Sequence, residues 1–224
     1  MSVCERLKRR NQAPGDMWQG DPMPRVTQAF RDKQQARIYA AATHCFARVG
    51  FHATSMDDVI REAGMSSSTV YRYLPGGKQA LICWVCTTRV GRLATRLDQL
   101  RQETEPPGIR DTLVSTLAGL YEDDPDADFT MIARLAVNAW AELPRNPEFR
   151  EKLKGIFADI RCHLLELTTR WHENELLRIS PAEASEITLR TALGLIAEEA
   201  LYGGVDINAA GEALQHLLET PPRE

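Results

Sequence analysis

The sequence lacks any apolar run long enough to cross a membrane. Its longest apolar stretches, such as residues 192–197, fall far short of the roughly 18 residues that a transmembrane helix requires. The N-terminus carries basic residues at Arg6, Lys8, Arg9 and Arg10, but no apolar segment follows them, so it does not have the form of a secretory signal. The sequence therefore predicts a cytoplasmic protein that does not associate with membranes.

A disulfide framework is also missing. The five cysteines, at positions 4, 45, 83, 86 and 162, are odd in number and irregularly spaced in a chain that is not a small secreted one. Cys83 and Cys86 form a C-x-x-C pair, but within a predicted helix, where two thiols act as small apolar residues. A redox switch at this pair stays open as an alternative. A zinc site is disfavoured because no second ligand pair has finger-like spacing.

The common catalytic motifs are absent as well. The chain contains no G-x-S-x-G elbow, Walker loop, dinucleotide fingerprint or H-E-x-x-H helix. Helical bundles can hold di-iron centres, but these need Glu-x-x-His pairs, and none occurs. We therefore predict that the protein is not an enzyme and that it needs no cofactor and no metal.

Sustained alternation of β-branched residues, which is typical of strands, does not occur either. The twelve prolines fall near the termini or between segments with apolar residues at helical spacing. The sequence thus predicts an all-α fold of about nine helices, preceded by a polar extension over residues 1–25 that is predicted to be disordered. The predicted helices span residues 31–49, 55–62, 66–73, 77–103, 109–122, 127–142, 147–176, 181–202 and 208–219.

Charge is distributed unevenly along the 224 residues. The formal net charge is −4, yet residues 1–82 carry 12 Lys and Arg against 7 Asp and Glu, whereas residues 83–224 carry 15 against 24. A basic N-terminal part followed by an acidic C-terminal part is expected when only one end of a protein binds a polyanion. The N-terminal part is therefore the candidate for nucleic-acid binding.

The most informative pattern in this basic part is that of a helix-turn-helix. Thr54 and Asp57 are spaced as a capping box that opens a short helix, and Gly64 ends that helix in a tight turn. Ser66 then caps a second short helix. Two short helices joined by a turn of about three or four residues that contains glycine are the signature of this DNA-binding motif.

The outer side of the second helix suits the major groove of double-stranded DNA. Short side chains at its start let the backbone approach the bases, and Arg72 is able to contact guanine through two hydrogen bonds. Tyrosine hydroxyls and the N-termini of the flanking helices are placed to contact phosphates. The predicted DNA contacts are Thr54, Ser66, Ser67, Ser68, Thr69, Tyr71, Arg72, Tyr73 and Lys78. An ordinary helical hairpin would instead present apolar or salt-bridging residues on this side.

This stretch resembles the DNA-binding domain of the TetR family of bacterial repressors. The family's pattern is matched over residues 31–82 by Gly50-Phe51, Thr54 with Asp57-Asp58, Ala63-Gly64-Met65-Ser66, Thr69-Val70-Tyr71-Arg72-Tyr73-Leu74 and Lys78. Leu74 replaces the usual Phe, and the connection at residues 75–77 is one residue longer than the commonest form. Ser68 stands where many members have Gly or Lys, so the resemblance does not transfer a DNA sequence preference.

The resemblance also implies how the chain is divided. Residues 26–82 are expected to form the helix-turn-helix DNA-binding domain, and residues 83–224 a helical bundle that binds an effector and dimerises. Apolar stripes in the middle of this bundle are candidates for a pocket that takes a small, largely apolar molecule. The candidate pocket residues are Leu93, Leu97, Leu117, Phe129, Ile132, Ala136, Trp140, Ile160, His163 and Leu164.

Residues 187–201 are apolar over more than half of the helix circumference. We expect that one chain cannot bury so much of a helix near its end, and a homodimer with a self-complementary interface would cover it. The candidate interface residues are Leu193, Ile196, Ala200, Leu214 and Leu217. Together these features predict a repressor that a small molecule releases from a near-palindromic operator. The alternatives are a DNA-binding regulator without a ligand and a thiol sensor acting through Cys83 and Cys86.

Overall fold

The computed structural model describes residues 27–121, 124 and 127–219; the extension predicted over residues 1–25 lies outside this range. The described residues form nine helices and no strand, as the all-α prediction requires. The helices are α1 (Gln28–Ala53), α2 (Met56–Ala63), α3 (Ser67–Tyr73), α4 (Gly77–Gln102), α5 (Ile109–Ala118), α6 (Phe129–Glu142), α7 (Pro147–Glu173), α8 (Pro181–Leu201) and α9 (Ile207–Leu218). Within these residues, no helix is both long and apolar enough to span a bilayer.

Side-chain caps fix where most of these helices begin. Ser180 and Glu183 form a reciprocal capping box, with Pro181 in the first turn of α8. The side chain of Asn146 accepts a hydrogen bond from the backbone N–H of Phe149 at the start of α7. Both starts are those that the sequence predicted. The prolines and caps therefore set the helix boundaries locally, before tertiary packing contributes.

The cap of α2 lies one residue later than predicted. Ser55, not Thr54, is the N-cap: its hydroxyl accepts from the Asp58 backbone N–H at 3.1 Å, and the Asp58 carboxylate accepts from the Ser55 backbone N–H at 2.9 Å. The prediction of a Thr54–Asp57 box was wrong. Both pairs have the required spacing, and the choice between them follows from the burial of Thr54, whose hydroxyl bonds to carbonyl oxygens at the end of α1 instead.

Residues 35–219 belong to one compact unit, and residues 27–34 are assigned to another. Inside the larger unit, one apolar cluster joins the helix-turn-helix to the bundle, because Val59 and Val70 share it with Leu135 on α6 and Phe149 on α7. A second cluster fills the bundle and surrounds Trp171, which is fully buried. Helix α4 runs without interruption through residue 82, so the two parts of the chain are connected by a continuous helix.

Much of the apolar surface of α8 is covered within the chain. This helix packs against α5, α6, α7 and α9, and Leu195 and Ile196 are buried. The expectation that one chain could not bury this helix was wrong, because four helices of the same chain surround it. The pattern of apolar residues indicated how much of the helix is covered, but not which elements cover it.

Gly50 interrupts α1 and sets the entry into the helix-turn-helix. Its backbone has φ 82° and ψ 169°, a conformation that is essentially restricted to glycine. A Cβ atom at this position would lie 3.0 Å from Oδ1 of Asn138 on α6. The position of Gly50 in the sequence predicts a left-handed C-cap, but its conformation is instead extended with a positive φ.

Gly50→Ala is therefore expected to destabilise the protein by about 1–3 kcal/mol, since alanine must adopt a backbone conformation that it rarely populates. Gly91→Ala is the matched control: Gly91 lies inside α4 with no neighbour within 4 Å of an added Cβ, so alanine should stabilise by about 0.5–1 kcal/mol. Urea unfolding followed by circular dichroism measures both. Equal stabilities for the two variants would contradict the strain assigned to Gly50.

Candidate functional site

Helices α2 and α3 form the helix-turn-helix, and α1 supports the turn between them. Gly64 ends α2 in a left-handed conformation, with its N–H donating to the carbonyls of Ile60 and Arg61. Arg37 on α1 donates from Nη2 to the carbonyl oxygens of Ala63, at 2.8 Å, and Gly64, at 3.2 Å. The guanidinium therefore satisfies carbonyls that the helix end leaves without partners, and it holds the turn against α1.

The recognition helix α3 buries one side and exposes the other. Val70 is fully buried and Leu74 is 8% exposed, so the helix is anchored on its apolar side. The opposite side carries the exposed residues Ser66, Ser67, Ser68, Tyr71 and Arg72, with Thr69 and Tyr73 partly exposed. This is the short polar surface that a helix needs in order to enter a major groove.

Several side chains of α3 already have partners. The Ser66 hydroxyl caps the helix by accepting from the Thr69 backbone N–H at 3.3 Å, and it lies 2.8 Å from the Thr69 hydroxyl. The guanidinium of Arg72 lies over the Tyr73 ring, 5.4 Å from its centroid, a favourable cation–π arrangement. Ser66 and Thr69 thus shape the start of the helix, while Arg72 is held at the surface by stacking.

Thr54 does not offer its side chain to DNA in this structure. It is 1% exposed, and its hydroxyl donates to the carbonyl oxygens of Gly50, at 2.8 Å, and Cys45, at 3.2 Å. The structure contradicts its assignment as a phosphate contact. The neighbouring Ser55, which the sequence interpretation missed, is exposed at the N-terminus of α2. The signal was present, because Ser55 and Asp58 also fit the capping-box spacing.

Lys78 links the start of α4 to the loop before α2. Its ammonium donates to the carbonyl oxygen of Thr54 at 2.8 Å and to that of His52 at 3.2 Å. A lysine ammonium has three protons, so one remains for an external acceptor. The side chain is partly exposed, which is compatible with its predicted phosphate contact and gives it a structural role as well.

An apolar cavity of about 50 Å³ lies in the bundle. Its walls come from α4, α6, α7 and α8, together with Leu120 after α5. Sites for drug-sized ligands usually measure about 300–1,000 Å³. A ligand of that size would therefore have to separate the surrounding helices.

The structure distributes the predicted pocket residues over several places. Leu93, Ile132, Ala136 and Trp140 line the 50 Å³ cavity. Leu93, Leu97, Ile160 and Leu164 line a smaller one of about 30 Å³. The remaining three residues, Leu117, Phe129 and His163, line neither cavity. Side-chain periodicity identifies apolar faces, but only the packing of four helices determines where a void remains.

Each of these three residues has another environment. Leu117 is fully buried in the bundle core, and Phe129 packs near Tyr121, with ring centroids 6.4 Å apart. His163 has its Nδ1 atom 4.0 Å from a carboxylate oxygen of Asp98 on α4. Arg89, which the sequence interpretation did not include, lines the cavity of about 50 Å³. No apolar pattern could have identified it, because an arginine is ordinarily expected at the surface.

The cysteine pair is held in α4 as two free thiols. Cys86 is 3% exposed, and burial, with a smaller contribution from Cys83, raises the pKa of its thiol to about 12. The thiolate is the nucleophilic form of cysteine, so Cys86 is protonated and inert near neutral pH. This environment matches the interpretation of Cys86 as a small apolar residue and disfavours a redox role for it.

The structure corrects the predicted dimer interface in part. Ile196 and Leu214 are each 4% exposed and belong to the core of the chain, so neither can contact a partner. Leu193 and Ala200 are partly buried, and Leu193 lines the cavity. Leu217 is 62% exposed and remains a candidate. Two further exposed apolar residues at the end of α8, Leu201 and Tyr202, were not among the predicted interface residues.

Comparison with known proteins supports the helix-turn-helix assignment. Residues 38–82 match the family model described as bacterial regulatory proteins, tetR family. The uncharacterized HTH-type transcriptional regulator YfiR of Bacillus subtilis (strain 168) is 28% identical over 204 residues, which are 88% of this chain and 96% of YfiR.

Solved structures agree with this result. GusR of Salmonella enterica superposes with a TM-score of 0.62 at 25% identity, over 86% of this chain and 95% of GusR. FadR of Bacillus subtilis, in complex with stearoyl-CoA, shares the fold with a TM-score of 0.61 at 18% identity, over 82% of this chain and 96% of FadR. The segment that matches the family model, residues 38–82, contains α2 and α3. The buried and exposed sides of these helices are those described above. Residues 38–82 thus match the DNA-binding region of the tetR family of bacterial regulatory proteins, and the described part of the chain shares the fold of these solved structures.

Proposed function

We propose that this regulator is a repressor that binds a near-palindromic DNA operator as a homodimer and is released from it by a small, largely apolar molecule. In this proposal residues 26–82 bind DNA, and residues 83–224 bind the effector and dimerise. The observation that carries the proposal is the course of α4, which begins beside the recognition helix at Lys78 and forms part of the cavity wall at Leu93.

The DNA contacts proposed here are exposed or partly exposed residues at the start of α2, along α3 and at the start of α4: Ser55, Ser66, Ser67, Ser68, Thr69, Tyr71, Arg72, Tyr73 and Lys78. Arg72 is the one among them able to form two hydrogen bonds with guanine. The two recognition helices of a dimer would enter successive major grooves, about 34–36 Å apart. Footprinting the protein on DNA upstream of its own coding sequence would identify the operator.

Arg72→Ala is expected to weaken operator binding by about 1–3 kcal/mol and to relax the preference at one base pair in each half-site. The control is Arg150→Ala, which removes an equal charge from an exposed position on α7, away from the recognition helix. Affinities for the operator and for single-base variants should be measured at one salt concentration, because phosphate contacts make binding strongly salt-dependent. Unchanged affinity and preference in Arg72→Ala would contradict α3 as the recognition helix.

The ligand part of the proposal is supported by the lining of the cavity and by related structures. Apart from Cys86 and Arg89, the residues around the cavity are apolar, which favours a mostly apolar effector. FadR of Bacillus subtilis was solved with stearoyl-CoA, so a protein of this fold does hold a ligand.

The alternative is a regulator that binds DNA without ligand control, and the small size of the cavity, about 50 Å³, favours it. Thermal unfolding across a library of small molecules distinguishes the two, since a ligand that binds only the folded state must raise the midpoint. A library in which no compound raises the midpoint would favour the unliganded alternative.

A further inference from the structure

Arg89 is a buried cation in the wall of an otherwise apolar cavity. It lies on α4, is 2% exposed, and is the only charged residue among the described residues that line the cavity. Burying a guanidinium is costly unless hydrogen bonds and opposite charge compensate for its lost hydration. A buried arginine therefore needs hydrogen-bond acceptors and an opposite charge, and the partners of Arg89 leave one of its nitrogens, Nε, without an acceptor among the described residues.

Two of the three guanidinium nitrogens of Arg89 are used. Nη1 donates to the carbonyl oxygen of Leu120 at 2.8 Å, and Nη2 donates to the carboxylate of Asp124 in an ion pair. The guanidinium also lies over the Tyr39 ring, 5.4 Å from its centroid. Nε is buried and has no hydrogen-bond acceptor among the described residues. One N–H of this buried cation thus lacks an acceptor among the described residues, and the residue that carries it lines the cavity.

A second arginine lies near Arg89. The charged groups acting on the Tyr39 hydroxyl include the guanidiniums of Arg89 and Arg92 as well as the carboxylate of Asp124. Tyr39 adds no negative charge, because burial raises the pKa of its hydroxyl despite the two arginines. An anionic group beside Arg89 would be attracted by these guanidiniums, whereas a cationic group would be repelled by them.

We infer that the cavity takes an apolar ligand carrying an anionic group, of the class of medium-chain carboxylates, and that Arg89 binds that group. The inference rests on the proposed ligand control and names the chemistry of the effector. The apolar walls from α6 and α8 enclose the hydrocarbon part, and one carboxylate oxygen accepts from Nε of Arg89. An oxygen of the ligand can also share the Nη2 edge with Asp124, since each terminal nitrogen of arginine carries two protons.

The test compares three probes that share one hydrocarbon chain: n-octanoate, n-octanol and n-octylamine. Binding to the unmodified protein is measured by isothermal titration calorimetry and by the shift of the thermal midpoint. Octanoate is expected to bind at least about tenfold more tightly than octanol, because a hydrogen bond to a charged group contributes more than a neutral one. Octylamine is expected to bind most weakly, since it brings a second cation beside the arginine.

Arg89→Met removes the cation and keeps a side chain of similar length, so it should abolish the preference for octanoate over octanol. Because this change leaves the Asp124 carboxylate without its ion pair, the double variant Arg89→Met with Asp124→Asn is measured as well, and circular dichroism verifies folding. Arg96→Met is the matched control: Arg96 is another arginine of α4 with a buried Nε that has no partner among the described residues, but it does not line the cavity. The Arg96→Met variant should keep the preference for octanoate over octanol.

The inference is overturned if octanol or octylamine binds as tightly as octanoate. It is also overturned if the preference survives in both Arg89 variants, or if no carboxylate in the series from butanoate to dodecanoate binds. None of these measurements contains DNA. Loss of DNA recognition is tested separately through Arg72, so failure of the ligand assignment and failure of the proposed DNA-binding function give different results.

Discussion

Ile196→Glu is expected to prevent the chain from folding, whereas Leu217→Glu is expected to leave each protomer folded and to dissociate the dimer. Ile196 is 4% exposed and belongs to the bundle core. A glutamate there replaces apolar packing in the core and must lose its hydration, which costs several kcal/mol even though Arg89 lies in the wall of the same cavity. Such a cost is comparable to the whole stability of a typical domain, about 5–15 kcal/mol.

Leu217, in contrast to Ile196, is a surface residue. Its side chain is 62% exposed on α9, so glutamate should change protomer stability by no more than about 0.5 kcal/mol. In a two-fold symmetric interface each substitution occurs on both sides of the axis, so two new carboxylates would enter the same contact. Tyr202→Glu, at the 84% exposed end of α8, provides a second variant on the same proposed surface.

Circular dichroism and light scattering separate these outcomes. The unmodified protein should scatter as a species of twice the 25.1 kDa chain, and Leu217→Glu as a single chain with an unchanged helical spectrum. A control at another exposed apolar position of the bundle, Leu165→Glu on α7, should remain dimeric. A monomeric unmodified protein would contradict the dimer proposal, and a folded Ile196→Glu would contradict the placement of Ile196 in the core.

Local signals in the sequence were sufficient for the helices and for the helix-turn-helix. Ser180 with Glu183 and Asn146 with Pro147 fix helix starts through hydrogen bonds that span three residues, so no tertiary information is needed. The same holds for Gly64, whose left-handed conformation ends α2. Interactions of this range are encoded in neighbouring residues, and the structure confirms all of these predictions.

Features that depend on packing could not be predicted in the same way. Thr54 and Ser55 both fit a capping box, and only the fold of the preceding loop decides that Thr54 is buried and Ser55 exposed. Periodicity showed that α8 is apolar around much of its circumference, but not that α6 and α7 cover it. Arg89 at the cavity was missed because its burial depends on Leu120 and Asp124, more than 30 positions away in the chain.

Helix α6 connects the cavity to the DNA-binding part by direct contact. One side of it lines the cavity through Ile132 and Trp140. Its C-terminal residue, the buried Glu142, meets the end of α1, where it lies 2.9 Å from Nε2 of His52. The carbonyl oxygen of His52 in turn accepts from Lys78 at the start of α4. A ligand that displaces α6 would therefore shift the loop on which α2 and its proposed phosphate contacts are mounted.

Ligand and operator are accordingly expected to weaken each other's binding by the same factor. Coupling between two sites typically amounts to about 1–3 kcal/mol, and a dimer with two cavities and two recognition helices can reach about twice that value. The affinity of a bound effector, measured by calorimetry or by Trp140 fluorescence, should therefore fall by the same factor on adding operator as operator affinity falls on adding effector. Equal affinities with and without operator would mean that the cavity does not regulate DNA binding.

The contact between His52 and Glu142 gives this coupling a specific test. Glu142→Gln and His52→Ala are each expected to reduce the coupling while leaving the separate affinities for effector and operator close to those of the unmodified protein, since neither residue lines the cavity or belongs to α3. Glu148→Gln is the control, because it neutralises an exposed carboxylate on α7 that pairs with Lys152 instead. If both test variants keep the full coupling, the signal does not pass through the contact of α6 with the end of α1, and the continuous helix α4 is left as the route from the cavity to the recognition helix.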